Sequence, residues 1–333
     1  MEIHPRIIYM GTPEFAAGPL KALLDAGYDI PAVVTVPDKP KGRGLQLSQS
    51  DVKKFIVEYN GQNSKAIDIL QPEKLRDEAF LSALKSYGAD LFIVVAFRML
   101  PEVVWKMPKM GTFNLHASLL PKFRGAAPIN WAIIKREKET GVTTFFIDEK
   151  IDTGNILLQE TTPIEKRETV ETLHDRLMEI GSRLVVKTVQ GLESASITPK
   201  PQDVSLLTED TSAAPKLNKE NCRIDWSKTA GEVDALVRGL SPYPAALSTL
   251  QLSSGEKIDM KIFGCQPVEN IQIQSYLQEC GKVLLQGKSL FVCCKDNLLE
   301  ITSLQPAGKK RMGAVDFING HKNLITDENI RFI

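Results

Sequence analysis

Apolar and polar positions follow two rhythms along this chain. In the first part, short apolar runs alternate with longer stretches of helical period. Residues 6–10 (Arg-Ile-Ile-Tyr-Met) predict a strand ending at Gly11, and residues 15–25 predict a helix with Pro13 near its start. Residues 30–36 are again strand-like. Pro72 is expected to open a helix running to about Tyr87, because proline suits a first helical turn. The unbroken apolar run 91–96 predicts a strand covered on both faces. Residues 111–116 predict a further strand, and Pro128 a helix that Gly141 ends. Strands are expected at 143–147 and 156–159, joined by a loop that contains Asp152. Between 169 and 191, Val170, Leu173, Leu177, Ile180 and Leu184 recur at alternating spacings of three and four, and Val185 and Val189 continue the stripe of an amphipathic helix. This β-α-β alternation predicts an α/β domain with a mostly parallel sheet flanked by helices.

From Ser194 to Lys216 no period persists, and Ser, Thr, Pro and Asp become common, as in a linker. Residues 231–240 then predict a short helix stopped by Pro242 and Pro244. Short β-rich runs follow at 257–263, 282–285, 290–294 and 298–303. They predict a smaller second domain, a β-barrel. The expected division is a domain at 1–193, a linker at 194–216 and a second domain at 217–333.

Composition narrows this picture only a little. With 43% hydrophobic and 25% charged residues, the 333-residue chain has the balance of a globular protein. No apolar run approaches the roughly 20 residues of a membrane helix, and the first residues lack a basic flank followed by a long apolar stretch. A cytoplasmic protein is therefore expected, an organelle form with its transit peptide removed being the alternative. Formal net charge is zero, but residues 106–138 hold seven basic side chains against one acid. That local field suits either a polyanion or plain solvation. The five cysteines include no Cys-x-x-Cys pair, so no zinc site is expected, and none lies near the candidate motifs, so no thiol nucleophile is expected.

Candidate chemistry concentrates in residues 111–125, GTFNLHASLLPKFRG. On a strand, Thr112, Asn114 and His116 share one face, and Phe113 and Leu115 the other. An amide and an imidazole at a strand's carboxyl end stand where open α/β sheets bind ligands. Asp152, in Ile151-Asp152-Thr153-Gly154, offers a carboxylate to orient the imidazole, although Asp-Thr-Gly is equally good turn chemistry. The Asp-Thr-Gly triplet has no second copy, so an aspartic-protease dyad within one chain is excluded. The first β-α turn lacks Gly-x-Gly-x-x-Gly and no P-loop occurs, which disfavours nicotinamide and nucleotide chemistry. Residues 39–44 (Lys-Pro-Lys-Gly-Arg-Gly) form a basic, glycine-rich loop suited to phosphate or simply to solvent.

Taken together, GTPEFA from Gly11, DKPKGRG from Asp38, NLHASLLPKFRGAAPI from Asn114, IDTG from Ile151 and LQPAGKKRM from Leu304 resemble the methionyl-tRNA formyltransferase family, over nearly the whole chain. The Asn-x-His, Ser-Leu-Leu-Pro and distant-Asp set is similar to that of 10-formyltetrahydrofolate enzymes in general, whereas the GRG loop and LQPAGKKRM point to the tRNA-acting branch. The resemblance implies a Rossmann-like formyltransferase domain followed by an OB-like barrel. It implies a catalytic trio of Asn114, His116 and Asp152, and a folate border at Ser118, Leu119, Leu120 and Pro121. It also implies tRNA contacts at Lys39, Lys41 and Arg43 and at Lys309, Lys310 and Arg311. The implied co-substrate is 10-formyltetrahydrofolate, without a metal; the implied partner is initiator methionyl-tRNA, with no membrane and a monomeric chain. The stretch 96–101 departs from the family's Ala-Tyr-Gly form, with Arg98 where glycine is usual. A formyltransferase for a small amine, a folate hydrolase and a non-catalytic RNA-binding protein are the competing readings.

Overall fold

The computed structural model describes residues 4–41, 46–268, 279–321 and 329–333. By internal contacts the chain forms two compact units, each discontinuous in sequence. The first comprises Met1–Gly125, Thr140–Thr162 and His174–Ala213; the second comprises Ala126–Glu139, Pro163–Leu173 and Ala214–Ile333.

The first unit is built on strands β1 (Ile7–Gly11), β2 (Ala32–Val34), the ribbon β3 (Lys39–Lys41) and β4 (Gln46–Ser48), β5 (Asp68–Leu70), β6 (Leu91–Val95), β7 (Thr112–His116), the short β8 (Arg124–Gly125), β9 (Glu139–Phe146) and β10 (Ile156–Pro163). Its helices are α1 (Glu14–Asp25), α2 (Asp51–Gln62), α3 (Glu78–Ser86), α4 (Glu102–Trp105) and most of α6 (Val170–Glu193). The central sheet runs β10-β9-β7-β6-β1-β2-β5, with β7, β6, β1, β2 and β5 mutually parallel and β9 antiparallel to β7. Period-two alternation sends Ile8, Met10, Phe92 and Val94 to one face, where they pack with Phe80, Leu84 and Val104 of α3 and α4. The opposite face carries Tyr9, whose hydroxyl donates to Ala16 O of α1 at 2.6 Å, and Leu115, which lies against Gly181 of α6. The chain leaves β1 for β2 on one side and pairs it with β6 on the other. The switch in strand order therefore falls between β1 and β6, where ligand crevices form.

Two sequence expectations fail here for physical reasons. The helix does not start at Pro72. It starts at Glu78, capped by Asp77, whose carboxylate accepts from Ala79 N and Phe80 N at 3.0 and 3.2 Å. The Pro72 and Glu73 carbonyls instead accept from the guanidinium of Arg98. Nor does Gly141 end a helix. Helix α5 (Pro128–Ile134) stops earlier, and Gly141 sits inside β9, where a Cβ would meet Glu160 O at 2.2 Å. Glycine is there because two backbones approach closely.

The second unit contains α5, β11 (Ala213–Ala214) at its border, α7 (Ala230–Leu240), β12 (Ala246–Gln251), β13 (Lys257–Pro267), β14 (Val283–Gln286), β15 (Ser289–Cys293), β16 (Leu298–Pro306), β17 (Met312–Gly313), α8 (Ala314–Gly320) and β18 (Arg331–Phe332). Strand order is β14-β15-β16-β13-β12-β18, and the observed ladders are antiparallel. A bridge between Lys282 and Arg331 joins the two ends, giving a nearly closed, OB-like barrel. Its core includes Trp226, Val237, Ile262, Leu299 and Phe332, with the Trp226 and Phe332 rings 5.4 Å apart. Helix α7 begins at a capping box, Thr229 with Glu232, and lays Val233, Val237 and Leu240 into that core.

Candidate active site

Strand β7 carries the first two candidate residues because its pleat alternates as the sequence predicts. Phe113 and Leu115 are buried on one side. On the other, Thr112 donates to Trp105 O at 2.7 Å, Asn114 follows, and His116 closes the strand. Asn114 pairs in register with Val94 and Phe145, between two apolar neighbours. Its Oδ1 is buried and has no hydrogen-bond partner among the described residues. A buried amide oxygen without a partner is costly in a finished core, so it marks a position open to a ligand. Thr12 Oγ1, just past the carboxyl end of β1, is in the same condition.

His116 is 7% exposed. Its Nε2 lies 2.9 Å from Phe123 O, and a carbonyl only accepts, so this nitrogen carries a hydrogen. Its Nδ1 faces Asp152 Oδ2 at 3.7 Å, beyond a direct hydrogen bond and within ion-pair range. Asp152 comes from the loop between β9 and β10, and His116 from the end of β7. Asp152 adopts the left-handed region at φ +56°, which Asp tolerates better than most side chains. Two residues later, Gly154 admits no side chain, since a Cβ would stand 1.7 Å from Phe146 O. The turn chemistry and the carboxylate therefore serve together. The same Asp152 Oδ2 accepts from Gly125 N at 2.8 Å, tying the turn to the loop that follows His116.

That loop is held from several sides. Ser118 is fully buried, and its hydroxyl donates to Lys122 O at 2.6 Å. Thr143 Oγ1 donates to Ser118 O and accepts from Leu120 N, while Gln159 Nε2 donates to Leu120 O. Leu120 and Pro121 are buried and Leu119 is half-buried. Past the carboxyl end of β6, a cleft of about 290 Å³ is lined by Leu75, Arg76, Arg98, Met99, Leu100 and Pro101. Arg98, the departure from the family pattern, ties its wall to residues 72 and 73.

The other candidate cations are scattered. Lys39 is exposed on the β3–β4 ribbon, Lys41 ends β3, and Arg43 lies outside the described residues. The ribbon's base is anchored where Asp38 accepts from Lys53 Nζ at 2.6 Å and from Gln71 Nε2 at 2.8 Å. Lys309, Lys310 and Arg311 are exposed around the turn from β16 to β17, and Arg311 stacks 4.6 Å from the Phe263 ring centroid. The basic run 106–138 divides between the two units, and Lys106 is paired with Glu102 at 2.5 Å. Sequence reasoning missed Thr12, the Gly125 amide and Gln202. Gln202 lies in the predicted linker yet bonds the Asp152 turn. Thr12 and Gly125 fall inside the motifs GTPEFA and NLHASLLPKFRG without being singled out there, and no local pattern marks Gln202.

Burial pushes the thiols of Cys293 and Cys294 up to about 11 and about 12, which makes them poor nucleophiles. Among the described residues no group of three or more His, Cys, Asp or Glu is arranged to hold a metal ion, and no helix is long and apolar enough to cross a membrane.

A formyl transferase profile matches residues 5–189, and a formyl transferase C-terminal domain profile matches residues 216–322. The methionyl-tRNA formyltransferase of Parabacteroides distasonis is 49% identical over 325 residues, 96% of each chain. That of Bacteroides thetaiotaomicron is 46% identical over 318 residues, 95% of this chain and 96% of its own. Among solved structures, HypX from Aquifex aeolicus in complex with tetrahydrofolic acid superposes with a TM-score of 0.61 at 18% identity. It covers 95% of this chain, which spans 47% of HypX. With both profiles matched in order and near-full-length relatives approaching half identity, the chain belongs to the methionyl-tRNA formyltransferase family of formyl transferases.

Proposed function

We propose that Asn114, His116 and Asp152 form the centre at which this chain moves the formyl group of 10-formyltetrahydrofolate to the α-amino group of methionine on initiator tRNA. The observation that carries this reading is the approach of the Asp152 carboxylate, from the β9–β10 loop, to the buried His116 at the end of β7. Asn114, with its unpartnered amide oxygen, lies two residues away on the same strand face. The neutral amine attacks the formyl carbon, and the carbonyl oxygen becomes negative in a tetrahedral intermediate. Asn114 Nδ2–H donates to that oxygen, and His116, whose Nε2–H is engaged by Phe123 O, adds its Nδ1–H once that nitrogen takes up a proton. The proton leaving the amine passes toward the His116–Asp152 pair, directly or through water, and the folate nitrogen leaves protonated. Formyl is already activated by its carrier, so the reading requires no metal.

Ser118, Leu119, Leu120 and Pro121 hold the loop that borders the folate, and the cleft at Arg98 is the adjoining pocket wall. The exposed Lys39, Lys309, Lys310 and Arg311, with Lys41 and Arg43, supply phosphate contacts to tRNA. Residues 1–193 act as the catalytic part, 194–216 as the connection and 217–333 as the tRNA-binding part, in a cytoplasmic monomer without membrane attachment.

The test is formyl transfer from 10-formyltetrahydrofolate to three acceptors: methionyl initiator tRNA, methionyl elongator tRNA and glycinamide ribonucleotide. Transfer to the initiator alone is expected. Transfer only to the small amine overturns the assignment of acceptor and of the second domain.

A further inference from the structure

We propose that Gln202 is a positioning residue for formyl transfer, its carboxamide locking the Asp152 turn to the loop that follows His116. The inference rests on the reading of Asn114, His116 and Asp152 as the reacting centre. Gln202 Nε2 donates to Asp152 O at 2.8 Å and to Gly154 O at 2.9 Å, two carbonyls that flank Thr153. Its Oε1 accepts from Arg124 Nε at 3.1 Å and from Arg124 Nη2 at 2.6 Å. Arg124 precedes Gly125, whose N–H donates to the Asp152 carboxylate. A ring of hydrogen bonds therefore closes through Gln202, the Asp152 main chain, the Asp152 carboxylate, Gly125 and Arg124.

The chemistry of each position permits little else. A primary amide has two N–H donors and two acceptor lone pairs, and all four are engaged here. Carbonyls only accept and guanidinium only donates, so the orientation of the amide is fixed by its partners. Glutamate would keep the Arg124 contacts and lose both donations to the turn. Asparagine is one methylene too short to reach both sides. The segment is itself pinned, since Ile156 N donates to Lys200 O at 2.7 Å and Lys200 N to Ile156 O at 2.9 Å. The ring acts where the backbone is least free to hold itself: Asp152 is left-handed and Gly154 abuts Phe146 O. Loss of Gln202 releases the turn, and the Asp152 carboxylate drifts from His116. A displacement of about 1 Å at a reacting group can cost about 100-fold in rate.

The experiment uses the full-length protein and four variants: Gln202→Ala, Gln202→Glu, Asp152→Asn and the double variant Q202A/D152N. Each is assayed in steady state for kcat and KM and in single turnover for the transfer step, with 10-formyltetrahydrofolate and methionyl initiator tRNA, and with thermal melts to normalise to folded protein. Expected is a fall in kcat of about 10- to 100-fold for both Gln202 variants, with KM for each substrate changed less than about threefold. In the Asp152→Asn background, Gln202→Ala should cost almost nothing further, because it acts through Asp152. Wild-type rates for both Gln202 variants beside an inactive Asp152→Asn overturn the role of Gln202 alone. The same outcome follows if Gln202→Ala costs an equal factor in both backgrounds, or loses rate only in proportion to folded protein. A fully active Asp152→Asn instead overturns the reading of the centre on which the inference rests.

Discussion

At the scale of single residues, the site depends on donors aimed at one developing charge and on groups that hold those donors still. Replacing Asn114 or His116 by Ala should lower single-turnover transfer by about 100- to 1000-fold, the usual effect of losing one oxyanion donor. Substrate KM should move little, and a loss of less than tenfold in either variant would remove that residue from the transition state. A second prediction concerns the ribbon that bears Lys39. Hydrogen bonds from Lys53 and then Gln71 hold the Asp38 carboxyl below the ordinary carboxylate range. A depressed folded value means the contribution is fully present above the unfolded value of about 3.9 and is lost as pH falls through the folded one. The difference in urea midpoint between wild type and Asp38→Asn should therefore be constant above about pH 4 and vanish at lower pH. A difference that grows on acidification would reverse the sign.

At the scale of elements, polar contacts decide where pattern is silent. Asp234 is 5% exposed on α7, and its two oxygens accept from Arg167 Nη1 and Arg238 Nε, each at 2.8 Å. Arg238 also donates to Glu168 O, and Arg167 to Cys265 O, so residues 163–173 join α7 and β13 within the second unit. Asp234→Ala would leave Arg238 uncompensated at a largely buried position, and should destabilise that unit by about 3–5 kcal/mol. Urea unfolding followed by Trp226 fluorescence, with Trp105 and Trp131 replaced by Phe in both proteins, measures it, and a loss below about 1 kcal/mol would show the network to be solvent-screened. The same scale explains two elements absent from the sequence reading. Strand β12 buries Ser248 and Thr249 beside Ala246 and Leu250, so polar and apolar positions do not alternate. The Ser248 hydroxyl accepts from Trp226 Nε1 at 3.0 Å, and the Thr249 hydroxyl donates to Asp259, its partner on the neighbouring β13, at 3.0 Å. Helix α8 is too short for Ala314, Phe317 and Ile318 to establish a period.

At the scale of the whole molecule, zero net charge coexists with exposed cations at Lys39 and around the β16–β17 turn. Association with tRNA through phosphate contacts should weaken steeply with salt. The triple variant K309A/K310A/R311A should weaken binding of initiator tRNA and reduce the slope of log K against log salt by about 2–3. An unchanged slope would remove the β16–β17 turn from the tRNA surface, without touching the catalytic centre. The identity of the chain rests at this scale too, because both formyl transferase profiles and near-full-length relatives span the two units together.

Periodicity alone determined the α/β character of the first part, the strand carrying Asn114 and His116, the long helix α6 and the β-rich second part. Burial of a strand face or helix stripe leaves a local imprint in the order of residues. The family resemblance, rather than period or spacing, singled out Asp152, because Asp-Thr-Gly by itself reads as a turn. Tertiary structure alone decided that Asp152 reaches His116, that the barrel closes between Lys282 and Arg331, and that Asp77 rather than Pro72 begins α3. It also decided that a segment without period packs against the catalytic turn through Gln202. Apart from the Asp77 cap, which is local, each of these is a contact between residues distant along the chain. A lone hydrogen-bonding side chain has no period, so nothing in its own neighbourhood announces its partner.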